Sequence, residues 1–225
     1  MFIDFHSHIL PAADHGSADL QTSLKQIELA KKAGVDVLIA TPHFYPRYES
    51  AQAFLQRREE TAAELRKALP ADAPKLLIGG EIHLCRGLEH MQELDELCVE
   101  GTNVLLLELP ASFAIREYEQ TLDALLYERK LQVVLAHIDR YRSSVVDLLL
   151  DLGFMAQINL DAFSSWRRKR QALSWAGSNS VVALGSDLHG LSVGYSQLPK
   201  AKKLLGQDFD SIMLRSAQLL ELTEK

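Results

Sequence analysis

A chain of 225 residues, 47% hydrophobic and 24% charged, is long enough to bury the core of one large α/β domain and has the composition of a water-exposed globular protein. Its net charge of -6 argues against a broad nucleic-acid-binding surface, and an anionic ligand would need a local source of positive charge. Two cysteines, Cys85 and Cys98, exclude a disulfide framework, and the opening FIDFHSHIL, broken by Asp4, His6 and His8, reads as neither a signal peptide nor a membrane span.

Taken in chain order, a first predicted strand over Phe2–Phe5 precedes a helix over Asp19–Ala33, where Leu20, Leu24, Ile27 and Ala30 recur at spacings of three or four and Gly34 stops the helix. A strand over Val35–Ala40 leads to a long charged helix over Ala51–Leu69, ended by Pro70. Strands follow over Lys75–Ile78, Asn103–Leu107, Gln132–Ala136, Phe154–Ile158 and Val181–Leu184, each an apolar run without strict polar alternation, as parallel strands buried on both faces require. Helices are expected over Gly87–Cys98, Ile115–Arg129, Ser143–Leu152, Ser164–Ala176, Gln197–Leu205 and Phe209–Leu222. These repeated strand–helix units predict an α/β barrel or a doubly wound sheet. No stretch rich in Pro, Gly or Ser divides the chain, so residues 1–225 read as a single domain, expected in the cytoplasm.

Of eight histidines, six fall at or just past the carboxyl end of a predicted strand: His6, His8, His15, His43, His137 and His189. Glu81 follows LLIGG, Glu108 closes VLLLE and Asp187 follows VALGS. In a parallel α/β fold all those ends face one rim, so the nine groups converge. One at a time each has a plainer reading: Glu108 a turn acid, His137 a buried hydrogen-bonded histidine, His6 a donor to a carbonyl. Jointly, a metal-capable residue at nearly every strand end favours a metal centre. Six imidazoles and three carboxylates without thiolate suit manganese, zinc or iron rather than a pure magnesium or calcium site. They exceed what one ion needs, so two or three are implied, with a carboxylate bridging. Three divalent ions against three carboxylates leave roughly +3, which attracts a phosphate dianion to an acidic protein. A water held between two ions is a ready nucleophile at neutral pH. A cysteine phosphatase needs an Arg six positions after its Cys, but Met91 and Val104 stand there, and no Gly-x-Ser-x-Gly elbow occurs.

The stretches DFHSHILPAADHGSAD, ATPH, GGE, LLE, VVLAHIDRY, QIN and GSDLHG, in order from Ile3 to Gly190, resemble the polymerase and histidinol phosphatase (PHP) superfamily. Within it the likeness is greatest to bacterial metal-dependent protein-tyrosine phosphatases of capsule and exopolysaccharide gene clusters. The resemblance implies a distorted seven-stranded β/α barrel with three divalent ions, manganese above iron or zinc, at the carboxyl rim. Carried over by motif, His6, His8, Glu81 and Asp187 hold the first ion; Glu81 bridges to a second completed by Glu108 and His137; His15, His43 and His189 take the third. The tyrosine phosphatases usually show an acidic residue where this chain has His15, and Asp14 is the fallback ligand. Arg140, with Asp187 and His137, is implied at the reacting phosphate; its plainer reading is a salt bridge with Asp139 or a neighbouring carboxylate. Those phosphatases also tend to place an arginine after Asp-x-His, and GLSVGYSQ has none.

The loop TPHFYPRYES brings Phe44, Tyr45 and Arg47 beside the site, to stack on an aromatic substrate or merely to cover it. WRRKR at 166–170 is a solvated helix face or a greeting surface for an acidic peptide or another subunit, while His83 and His90 are not expected to be ligands. The implied partner is a phosphotyrosine protein, a bacterial tyrosine kinase of polysaccharide export, with homo-oligomerisation left open and neither nucleic acid nor membrane insertion expected. A small-molecule phosphatase of the histidinol-phosphatase type and a non-catalytic metal-binding PHP module are the alternatives.

Overall fold

In a computed structural model, residues 1–191 and 194–222 are described. Among the described residues ten strands and seven α-helices follow in this order: β1 Ile3–His8, α1 Leu20–Lys32, β2 Val37–Ala40, β3 His43–Phe44, α2 Ala51–Ala68, β4 Lys75–Ile78, β5 Glu81–His83, β6 Val104–Glu108, α3 Glu119–Asp123, β7 Gln132–Leu135, α4 Ser143–Asp151, β8 Met155–Asn159, α5 Lys169–Ala176, β9 Val181–Gly185, β10 Leu188–His189, α6 Leu198–Leu205 and α7 Gln207–Leu219. Every strand pairing is parallel, in a four-stranded sheet of order β10-β1-β2-β4 and a six-stranded sheet of order β3-β5-β6-β7-β8-β9. The fold is therefore α/β with parallel sheets.

Backbone bonds join the two sheets. Glu81 N donates to Pro42 O at 3.0 Å, and Asp187 N to His6 O at 2.8 Å. In β1 all six residues are buried. Alternation along a strand puts Asp4, His6 and His8 on one face and Ile3, Phe5 and Ser7 on the other, which is why a His-x-His spacing delivers both rings to one place. Ile3, Phe5, Leu38, Ile39, Leu105, Leu107, Val133 and Leu135 are all fully buried. Each large apolar side chain so removed from water contributes about 1.5–3 kcal/mol, which fixes the strand ends in position.

Local signals explain most boundaries. Asp19 accepts from Thr22 N at 2.7 Å to start α1, and Gly34, at φ 76°, takes the left-handed conformation that ends it. Leu69, preceding Pro70, is extended and stops α2. Three expectations shift. The predicted helix over 87–98 is two 3₁₀ turns, Leu88–His90 and Gln92–Leu97. Its apolar residues, Leu88, Met91, Leu94 and Leu97, recur every three residues, the period of a 3₁₀ helix rather than an α-helix. The predicted helix over 115–129 is a 3₁₀ turn (Ile115–Glu117), α3 and a π turn (Ala124–Glu128). The predicted helix over 164–176 begins only at Lys169, after a 3₁₀ turn Leu160–Ser164. The short strands β3, β5 and β10, which the sequence did not announce, carry His43, Glu81 and His189. Among the described residues no helix is long and apolar enough to cross a membrane.

Candidate metal centre

Strand termini deliver the candidate ligands. His6 and His8 close β1, His43 and Glu81 open β3 and β5, Glu108 ends β6, and His189 ends β10. His137 and Asp187 sit just past β7 and β9, at φ 34° and 50°. Left-handed backbone at non-glycine residues costs on the order of 1–3 kcal/mol and gathers at functional sites.

Four atoms face one another in the middle. His6 Nε2 lies 3.0 Å from His8 Nε2, 3.3 Å from Glu81 Oε2 and 3.6 Å from Asp187 Oδ1; His8 Nε2 lies 3.3 and 3.4 Å from the same two oxygens. His8 Nδ1 lies 2.7 Å from Asp14 Oδ2 and His6 Nδ1 3.1 Å from Gln157 Oε1, two oxygens placed to accept a ring proton. In neutral rings those bonds consume the only protons, so both Nε2 lone pairs point at each other and at two carboxylate oxygens. In that neutral state four acceptors face one another without a donor, an arrangement that a bound cation relieves. A tetrahedral ion with bonds of about 2.0 Å has ligand–ligand edges of about 3.3 Å, which is the spacing seen here. The donor set fits a metal ion.

The neighbouring groups continue the pattern. Glu81 Oε1 lies 2.7 Å from His137 Nε2, which is 3.8 Å from Glu108 Oε1, while Glu81 Oε2 lies 2.9 Å from His43 Nδ1. Donor atoms of His43, Glu81 and Glu108 lie within 4.8 Å of one another, as do those of His8, His43 and His189. Buried Glu81 Oε2 and Glu108 Oε2 have no hydrogen-bond partner among the described residues. His189 stacks on His8 with centroids 4.0 Å apart. His15 is exposed and stacks at 4.8 Å on His43 and 4.6 Å on His189, outside the three donor groups. Asp14 instead accepts from His8, from Gly16 N at 2.8 Å and from His43 N at 2.9 Å, which commits both its oxygens to orienting the site.

Charge is balanced by contact. Burial alone would raise the Glu81 carboxyl, but His6, then His137 and His43, hold it well below the usual range. Asp187 is likewise held low against burial by His6, His189, His8 and Arg140. Burial, followed by the Glu81 charge, pushes the Glu108 carboxyl up to about 7 against the smaller opposing pull of His43, His6 and Arg140.

Arg140 pairs with Asp187 Oδ2, a carboxylate of the centre, and not with Asp139. Asp139 is taken by Arg168 at 2.6 Å and by Asn159 N at 3.0 Å. The second arginine of WRRKR thus anchors the turn carrying His137 and Arg140; Trp166 is 90% exposed, and Arg167, Lys169 and Arg170 are exposed. Beside the centre lies a cavity of about 780 Å³ lined by Tyr45, His83, Glu108, Phe113, Arg140 and Tyr141, among others. Of the TPHFYPRYES loop, Tyr45 lines it, Arg47 is exposed, and Phe44 is fully buried against Phe54, so its ring belongs to the core. His83 lines the cavity with Tyr45, 5.5 Å away. Cys98 is buried and its thiol pushed up to about 12, and burial raises Cys85 also, so neither is poised as a nucleophile. Ser192 and Val193, in the loop after Asp-x-His, lie outside the described residues. The sequence marks Gln157 and Asn159 only as two amides in an otherwise apolar strand, and both are buried.

A family profile described as "Capsular polysaccharide synthesis, CpsB/CapC" matches residues 2–216. The chain is 29% identical over 237 residues to tyrosine-protein phosphatase YwqE of Bacillus subtilis, covering 97% of this chain and 91% of YwqE. It is 25% identical over 227 residues to tyrosine-protein phosphatase CpsB of Streptococcus agalactiae, covering 92% and 90%. In structure it matches, at a TM-score of 0.82 and 24% identity over 99% of this chain and 96% of the other, a chain from crystal structures of YwqE from Bacillus subtilis and CpsB from Streptococcus pneumoniae, described as unique metal-dependent tyrosine phosphatases. That structural likeness carries the fold.

Proposed function

The chain belongs to the CpsB/CapC family of capsular polysaccharide synthesis, and from that premise we propose that it is a metal-dependent phosphomonoesterase acting on phosphotyrosine in a protein. The observation that carries the reading is the ring of facing acceptors, His6 Nε2, His8 Nε2, Glu81 Oε2 and Asp187 Oδ1, at 3.0–3.6 Å with Arg140 beside it. The first ion belongs to those four residues, a second to Glu81, Glu108 and His137, and a third to His43 and His189 with His15 closing over them. Manganese suits the mixed nitrogen and oxygen donors, with iron or zinc as substitutes. When bound, the ions supply positive charge for phosphate oxygens and lower the pKa of water.

The chain's own residues do the remainder. Arg140 presents a planar fork to the phosphate and shares it with Asp187, so the guanidinium is already aimed when substrate arrives. Asp14 and Gln157 keep the proton of each buried ring on Nδ1. Tyr45, Phe113 and Tyr141 wall a cavity wide enough for an aromatic ring, and the Tyr45 hydroxyl, pushed up to about 12 by burial and neighbouring carboxylates, remains a donor. The two sheets support a reading as one distorted barrel of seven strand positions, in which β2/β3, β4/β5 and β9/β10 are each one interrupted strand, and residues 1–225 as one domain. The reading extends to a cytoplasmic enzyme whose substrate is a tyrosine kinase of the polysaccharide machinery.

The test is turnover by manganese-loaded protein of a phosphotyrosyl peptide and of histidinol phosphate in parallel. The peptide is expected to be the better substrate by at least about tenfold in kcat/KM, the scale of one lost 1.4 kcal/mol contact. Turnover of histidinol phosphate alone makes it a small-molecule phosphatase. No turnover of either with manganese, iron or zinc makes it a binding module.

A further inference from the structure

We propose that Gln157 is the positioning residue that sets the tautomer of His6 and the orientation of Asp187, and that the His137 backbone amide dictates its direction. The inference rests on the metal-dependent reading above for its consequence, but not for its geometry. A backbone N–H can only donate. His137 N lies 2.7 Å from one end of the Gln157 amide, so that end is the oxygen. The same oxygen lies 3.1 Å from His6 Nδ1, which must therefore carry the ring proton and leave the Nε2 lone pair facing the centre. The amide nitrogen is thereby turned to Asn159 Oδ1, at 2.8 Å. Asn159 in turn can only offer Nδ2 to Asp187 Oδ2, at 2.9 Å.

One donor past β7 thus fixes, through two amides, the state of groups on β1 and past β9. Gln157 is fully buried and Asn159 nearly so, which leaves little room for water to substitute. The packing is equally restrictive. A Cβ added to Gly185 would stand 2.6 Å from His6 Cβ and 2.7 Å from Gln157 Nε2, so glycine is needed for the amide to reach the ring. Outer partners of this kind typically change metal affinity by about 10–100-fold when removed.

The experiment reads the His6 tautomer directly, by long-range proton–nitrogen correlation in metal-free protein at alkaline pH where the ring is neutral, together with manganese affinity by calorimetry. Wild type is expected to show Nδ1–H. Gln157→Met is expected to lose that tautomer and to bind manganese about 10–100-fold more weakly. Gln157→Glu keeps two acceptor oxygens and is expected to retain Nδ1–H, which tests the assignment even where the methionine variant does not fold. Asn159→Ala is expected to weaken manganese binding while leaving His6 unchanged. A wild-type Nε2–H signal, an unchanged tautomer in Gln157→Met, an Nε2–H signal in Gln157→Glu, or affinities within twofold of wild type would each overturn the assignment. Wild-type protein that shows Nδ1–H but takes up no manganese, iron or zinc defeats the functional reading and leaves the tautomer assignment standing.

Discussion

Removing the Arg168 guanidinium tests whether the WRRKR run is structural at one position and free at the others. Arg168 closes on Asp139 at 2.6 Å, where the carboxylate side chain is fully buried and the arginine side chain 29% exposed. Breaking a fully buried pair from one side costs about 3–5 kcal/mol, because the remaining charge has nowhere to go. Water already reaching Arg168 lowers that to about 2–3 kcal/mol, and the more exposed contact with Asp161 adds no more than about 0.5 kcal/mol. Arg168→Ala should therefore lose about 3 kcal/mol in urea unfolding at pH 7. The loss should depend on pH with a definite sign. Burial already holds the Asp139 carboxyl above its ordinary value, and without Arg168 it rises further. A carboxyl raised in the folded state stabilises most when protonated, so the penalty is full at pH 7 and shrinks toward about pH 5. Adding Asp139→Asn removes the stranded charge and should recover about half the loss. A loss below about 0.5 kcal/mol, or one equal at both pH values, would refute the reasoning.

Arg140→Ala should lower kcat/KM on an aryl phosphate by about 10²–10³, and Arg140→Lys should restore little of it, because a point charge does not replace a fork; near-wild-type turnover in either variant removes Arg140 from phosphate binding. Chelation should abolish turnover, and ions restored at 100 times their dissociation constant should raise unfolding stability by about 2.7 kcal/mol in a calorimetric melt. Because Glu108 sits at about 7 without metal, ion binding should expel a proton from it and strengthen as pH rises through that value, which calorimetry in buffers of differing ionisation enthalpy detects; a pH-independent affinity contradicts this. Charge reversal at exposed Arg167, Lys169 and Arg170 should leave an aryl phosphate unaffected and raise KM for an acidic phosphopeptide, with equal effects on both substrates speaking against a docking role.

Periodicity and glycine or proline punctuation located the long elements, because α1, α2 and the central strands obey local rules. Where an element is set by tertiary contacts, the sequence was silent. The two-residue strands β3 and β10 exist only because neighbours pair with them, and no pattern that short is legible. The spacing of three in Leu88, Met91, Leu94 and Leu97 was legible but resembles a helix stripe. At the site, strand-end position alone drew attention to His6, His43, Glu81 and His137. It could not show that Phe44 turns inward while Tyr45 next to it faces the cavity, since the loop that follows obeys no period. Nor could it reveal that Asp14 holds His8, or that Arg168 and not Arg140 answers Asp139, because those are matters of reach across strands.

His6 lies on the first strand and Asp187 just past β9, and each contributes to the same ring of acceptors. Any cation captured there acts as a clasp between the first strand and the last long one, at the seam where the two sheets meet.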